Sequence, residues 1–112
     1  MTFEELRKNK PTTQWIENDE DNEFFTEENI NATNKVLDSF ISNLEKLSAN
    51  SPEEEIIKII KEVVIRINEL NEQYDSYIET MEREDLCEYI DTAARIAGLE
   101  TDDDITEEWR EW

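Results

Sequence analysis

The stretch from Ser51 to Tyr77 constrains this chain most. Ser51-Pro52-Glu53-Glu54 has the form of a helix start. Ser51 is the expected N-cap, Pro52 the first helical position, where a missing N–H costs nothing, and Glu54 the partner that completes a capping box. Behind it Ile56, Ile60, Val63, Ile67, Leu70, Tyr74 and Tyr77 recur every three or four residues and share one helical face. Ile57, Ile59, Val64 and Ile65 widen that stripe, so the first half of the helix is expected to be buried on more than one side.

Two further helices have matching stripes. Thr26 is an expected N-cap, with Glu27 and Glu28 favouring the positive helix start. Ile30, Thr33, Leu37, Phe40 or Ile41, Leu44 and Leu47 follow at helical spacing, which predicts a helix over about 27–48 that stops at Ser48-Ala49-Asn50. No glycine or proline marks a break around Glu79–Glu82, and one helix from 52 to 97 is the alternative reading. A break is preferred because a compact bundle needs the chain to turn back. Thr80 is then the cap of a third helix with the stripe Leu86, Ile90, Ala93 or Ala94 and Ala97. Gly98-Leu99 closes it as a left-handed cap with a hydrophobic contact.

The ends are less periodic. Thr2 and Glu5 form a capping-box pattern for a short helix over Phe3–Asn9, ended by Pro11. Residues 11–25 read as an acidic loop pinned by Trp15, Ile16, Phe24 and Phe25. Thr101–Asp104 reads as an acidic linker. Ile105–Trp112 reads as a short helix capped by Thr106, with Trp109 and Trp112 on one face. The expectation is a single all-α domain, an antiparallel three-helix bundle core over 26–99. Short additional helices lie at both termini, within 1–25 and 100–112.

Composition narrows function. The 112 residues hold 31 acids, 11 bases and no histidine, a formal charge of −20. Nucleic acid and anionic membrane repel such a surface, so neither is an expected partner. Without histidine there are no Ser-His or Cys-His nucleophile pairs and no histidine zinc sites. The single cysteine, Cys87, cannot form an internal disulfide, which fits a reducing compartment. No apolar run approaches the roughly 20 residues that span a bilayer, and the N-terminus lacks a hydrophobic signal core. The expected location is the cytoplasm.

Several residue groups are candidates for chemistry or contact. Glu17, Asp19, Asp21 and Glu28 fall in an EF-hand frame, although position 1 is Glu rather than Asp; a solvated acidic loop is the plainer reading. Asn68, Asn71, Asp75 and Glu79 form a polar seam beside the apolar stripe, since side-chain amides read backbone groups directionally. The same seam fits the wet edge of a bundle, or hydrogen bonds to an incoming loop. Cys87 reads as a small filler. Trp109 and Trp112 read either as a closure of the core or as anchors in an acidic rim. With Asp19, Asp21, Glu23, Asp102 and Asp103 they complete the set of expected partner contacts. No catalytic residue, cofactor or metal is assigned.

Glu69-x-x-Glu72 and Glu88-x-x-Asp91 resemble the carboxylate pattern of the all-α nucleotide pyrophosphohydrolases, where such acids hold Mg²⁺ against a triphosphate. Against that, Glu72 lies roughly 160° from the apolar stripe at about 100° per residue. The tail Asp104–Trp112 and the segment Phe24–Asn29 look like small acidic bacterial proteins of uncharacterised function. An acidic field of this size speeds association with a basic partner and makes it salt-sensitive, so a non-enzymatic inhibitor, antitoxin or immunity-type protein is expected. In size, acidity and helicity the chain is also similar to bacterial immunity proteins. A homo-oligomer that buries the Ile56–Ile67 face is a third reading. The hydrolase reading is checked by a nucleoside triphosphate panel with Mg²⁺ or Mn²⁺. It requires turnover that disappears in Glu72→Gln, and a silent panel removes it.

Overall fold

The computed structural model describes residues 2–18, 25–47, 52–74, 76–99, 106–107 and 109–112, with the backbone alone at Asn18. Among them the secondary structure is entirely helical: α1 (Phe3–Lys8), α2 (Thr12–Asn18), α3 (Glu27–Glu45), α4 (Glu53–Gln73) and α5 (Thr80–Ala97). No helix is long and apolar enough to cross a membrane. The core helices α3, α4 and α5 pack as a bundle, with the most extensive contact between α3 and α4, while α1 lies on α3 and α5 and α2 lies on α3.

The apolar stripes meet as their spacing predicts. Leu37, Phe40, Ile41 and Leu44 of α3, Ile56, Ile60, Val63, Val64 and Ile67 of α4, and Leu86, Ile90, Ala93 and Ala94 of α5 are all buried in one cluster. The Ile56–Ile67 face is therefore core within a single chain. Ile57 and Ile65 depart from the expectation of burial on several sides, since each is 38 % exposed.

Local signals set most boundaries. Thr2 Oγ1 accepts from Glu5 N at 3.2 Å and Thr26 Oγ1 accepts from Asn29 N at 3.2 Å. Asn29 Oδ1 returns the favour to Thr26 N at 3.0 Å, so asparagine completes the capping box of α3. Pro52 takes the N-cap position of α4 rather than its first turn, in extended backbone, and Ser51 lies outside the described residues. Glu79, not Thr80, precedes the first residue of α5 and makes no side-chain cap bond. Gly98, the chain's single glycine, ends α5 at φ +111°, and Leu99 N bonds Ala94 O at 3.0 Å in a Schellman-type closure.

Two end segments correct the sequence expectation. Residues 11–25 are not a loop throughout, because Pro11 opens α2 as well as following α1. Its carbonyl accepts from Gln14 N and Trp15 N at 3.1 and 3.2 Å. Propensity is weak here, and burial decides: Thr12 is buried and donates to Asn34 Oδ1 at 2.6 Å, and Trp15 is 3 % exposed. Ile16 is exposed instead of pinned, and Phe24 lies outside the described residues. At the C-terminus the described residues form one turn, closed by Trp109 N and Arg110 N on Thr106 O, followed by non-helical backbone. Here Asn68 on α4 accepts the Glu111 N–H, which a continued helix would direct to its own carbonyls.

The break between α4 and α5 is a built connection. Ser76, at φ +59°, donates its N–H to Asn71 O at 2.7 Å, and Ile78 N donates to Asn71 Oδ1 at 2.9 Å. Tyr77 leaves the helix but stays in the core. Its hydroxyl lies 2.6 Å from Thr33 Oγ1 on α3, which also donates to Asn29 O at 2.8 Å. Its ring meets Phe25 and Tyr74 edge-on, with centroids 6.5 and 6.0 Å away, and Trp15 continues the row beyond Phe25 at 5.5 Å.

Thr33→Val leaves the Tyr77 hydroxyl buried without its partner and should cost about 1–3 kcal/mol in urea unfolding. Combined with Tyr77→Phe, the loss should be well below the sum of the two single losses. Additive losses would mean that the hydroxyl pair does not couple α3 to the connection.

Candidate acidic contact face

Helical periodicity turns one side of α5 to solvent. Leu86, Ile90 and Ala93 point inward with no exposed surface, which places Met81, Glu84 and Glu88 on the opposite side. All three are exposed, and Met81 is 67 % accessible, the most exposed large apolar side chain among the described residues. Asp85 and Asp91 flank the stripe, half-buried. Along it the first cation is Arg95, whose Nε is paired with Asp91 Oδ2 at 3.0 Å.

One carboxylate of this face is held in position. Trp15 Nε1 donates to Asp85 Oδ2 at 3.0 Å, so the buried indole of α2 fixes an acid at the rim of α5. Beside it lies a cleft of about 200 Å³ between α5 and the α1–α2 connection, lined by Leu6, Pro11, Asp85, Glu88, Tyr89 and Thr92. Its floor is satisfied internally, since the Tyr89 hydroxyl donates to Leu6 O at 2.9 Å. Burial pushes the Tyr89 phenol up to about 12, with the Asp38 charge acting in the same direction and Arg7 against it. An apolar floor under two carboxylates suits the alkyl stem and charged head of a lysine or arginine.

A larger cavity of about 640 Å³ between α3 and α4 has a different character. Lys46, Lys58 and Arg66 line it against Asp38, Glu55 and Glu62, so it presents both signs equally. Asp38 is already paired with Lys10 at 2.8 Å, and Glu62 with Arg66 at 3.0 Å.

The structure distributes the sequence-derived site residues unevenly. Asp19, Asp21, Glu23, Asp75, Asp102 and Asp103 lie outside the described residues. Glu17 and Glu28, the described ends of the calcium frame, are exposed, and Glu28 Oε1 accepts from the Tyr74 hydroxyl at 3.3 Å. Glu69, Glu72, Glu88 and Asp91 are not brought together, because the described residues contain no group of three or more acids, cysteines or histidines able to hold a metal ion.

Asn68 and Asn71 are engaged within the chain. Asn71 holds the α4–α5 connection, and Asn68 bonds the backbone of the tail at Trp109 O (2.8 Å) and Glu111 N (3.0 Å). Trp109 and Trp112 are half-buried against the core. Cys87 is half-buried as well, with its sulfur 3.4 Å from Thr106 Oγ1 and accepting from Arg110 Nη1 at 3.0 Å.

Sequence reasoning missed Met81 and its acidic stripe as a face, although Met81, Glu84 and Glu88 stand at i, i+3 and i+7 opposite Leu86 and Ile90. Searched against protein-family models, curated proteins and solved structures, the chain matches none of them.

Because Tyr89 keeps its proton to higher pH when folded than when unfolded, the folded state binds more protons as pH rises through the phenol range. Stability should be unaffected by Tyr89 below pH 10 and fall between roughly pH 10 and 12. Urea midpoints across that window should fall less steeply for Tyr89→Phe than for the parent. Equal slopes would place the phenol in a water-like setting.

Proposed function

We propose that this chain is a non-enzymatic protein-binding module of the inhibitor or immunity type, whose partner is a basic protein. The outward face of α5 supports this reading best. It combines exposed carboxylates at Glu84 and Glu88 that have no ion pair among the described residues, a carboxylate fixed by Trp15, and an exposed apolar residue at Met81. A charged rim around an apolar anchor is the arrangement in which long-range attraction speeds encounter and local burial holds the complex. The net charge of −20 extends that attraction over the whole molecule. Its setting is a bacterial cytoplasm, where a lone thiol persists.

The test is capture from the source cell's lysate at low and high salt, with the bound proteins identified by mass spectrometry. A stoichiometric basic partner that elutes as salt rises supports the reading. Glu84→Lys with Glu88→Lys should then slow association about tenfold or more at low salt and flatten its salt dependence. Capture of no basic protein at either salt would overturn the proposal. Unchanged kinetics in the doubly reversed chain would remove α5 as the contact face.

A further inference from the structure

We infer that the surface of α4 and α5 beneath residues 109–112 is a docking groove for a short, cationic segment of the partner, and that the chain's own tail occupies it as a resident competitor. The inference rests on the preceding reading that the partner is basic, and it names a second place where that partner engages.

The tail is held as a peptide ligand is held. The Asn68 amide addresses main-chain groups alone, donating to Trp109 O and accepting from Glu111 N. Any segment that follows the same backbone path offers the same pair, so these two bonds do not depend on side-chain identity. Trp109 and Trp112 pack against the core as aromatic anchors. Arg110 turns inward, with Nη1 3.0 Å from both Cys87 Sγ and Thr106 Oγ1 and its guanidinium 5.6 Å from the Trp112 ring centre. Glu107 and Glu111, by contrast, stay exposed. The groove accepts backbone, aromatic rings and a cation, and leaves carboxylates outside.

Two features make the tail a weak occupant of its own groove. Between Thr106 and Trp112 it carries Glu107, Glu108 and Glu111 against one arginine, on a body that is itself strongly negative. Those charges oppose docking. The Trp112 indole N–H is also buried without an acceptor among the described residues, a cost that a better-fitted segment avoids. A segment with the same spacing of aromatic and cationic residues, and lysines where the tail has glutamates, keeps every favourable contact and reverses the unfavourable charge.

The test uses the full chain and a seven-residue peptide copying residues 106–112 with lysine at the three glutamate positions. Glu111→Pro removes the N–H that Asn68 Oδ1 receives, at an exposed position, and so loosens the tail without touching the core. The peptide should bind Glu111→Pro about fivefold more tightly than the parent, the worth of one hydrogen bond. Adding Asn68→Ala should cancel that gain, because the peptide loses two bonds where the loosened tail loses one. A copy of the natural tail should bind more weakly than the lysine peptide at low salt.

Three outcomes would overturn the inference. Absence of binding to either chain, with unchanged circular dichroism, makes the tail a fixed part of the core. Salt-sensitive binding indifferent to both substitutions is attraction to the acidic surface at large. Equal binding of the natural copy, with self-association at higher chain concentration, makes the occupant a second copy of this chain. Failure here, with basic-partner capture still lost on reversing Glu84 and Glu88, rejects the groove and leaves the proposed function standing. Peptide binding with no basic protein captured does the reverse.

Discussion

Self-repulsion is the constraint to which the rest of this structure answers. A formal charge of −20 on 112 residues makes the compact state repel itself on balance, and folding requires enough apolar burial to overcome it. The three long helices supply that burial in a continuous cluster from Leu37 to Ala94. Cations act where apolar area is scarce. Arg7 forks onto Glu45 at 2.6 and 3.0 Å, and Lys10 reaches Asp38 at 2.8 Å, so the six-residue α1 and the turn after it are tied to α3 partly by charge. Most of the other described acids are exposed, and the chain keeps a large excess of negative charge.

Polar groups inside the bundle fix details that apolar burial leaves free. A stripe of isoleucines and leucines allows helices to slide by a turn, but a buried hydroxyl pair allows one alignment. Thr33 with Tyr77 sets α3 against the α4–α5 connection. Asn71 sets that connection against α4, and Asn68 sets the tail against α4 one turn earlier. The two asparagines that look from sequence like a partner-facing seam thus perform amide recognition of backbone, directed at the chain itself.

The legible and illegible parts of this fold divide along physical lines. The three core helices were readable from their apolar period, Gly98 from its place after the last apolar residue, and the break near Thr80 from the need to reverse direction, although the cap position there falls on Glu79. The helix α2 was not readable, because Thr12-Thr-Gln-Trp has no stripe and its order comes from Asn34 on α3 and Asp85 on α5. The tail misled for the opposite reason: a cap residue and two tryptophans three apart suggest a helix, while Asn68 takes the Glu111 N–H that a helix would give to Glu107. Of the contact face, the spacing of Met81, Glu84 and Glu88 was present in the sequence. Its significance depends on knowing that the other side of α5 is filled, and that Trp15 arrives from far along the chain to hold Asp85.

The connection from Tyr74 to Glu79 has a consequence for how chains of this fold can diverge. Its backbone and side chains are measured against fixed points at both ends, with Ser76 and Ile78 bonded to Asn71 and Tyr77 to Thr33. One residue more or fewer would carry Tyr77 away from Thr33 and displace Ile78 from Asn71 together. Both bonds therefore hold the length of this junction. New chain ends opened at this point, as in a circular permutant, would free the segment that carries Tyr77 to Thr33 and Ile78 to Asn71.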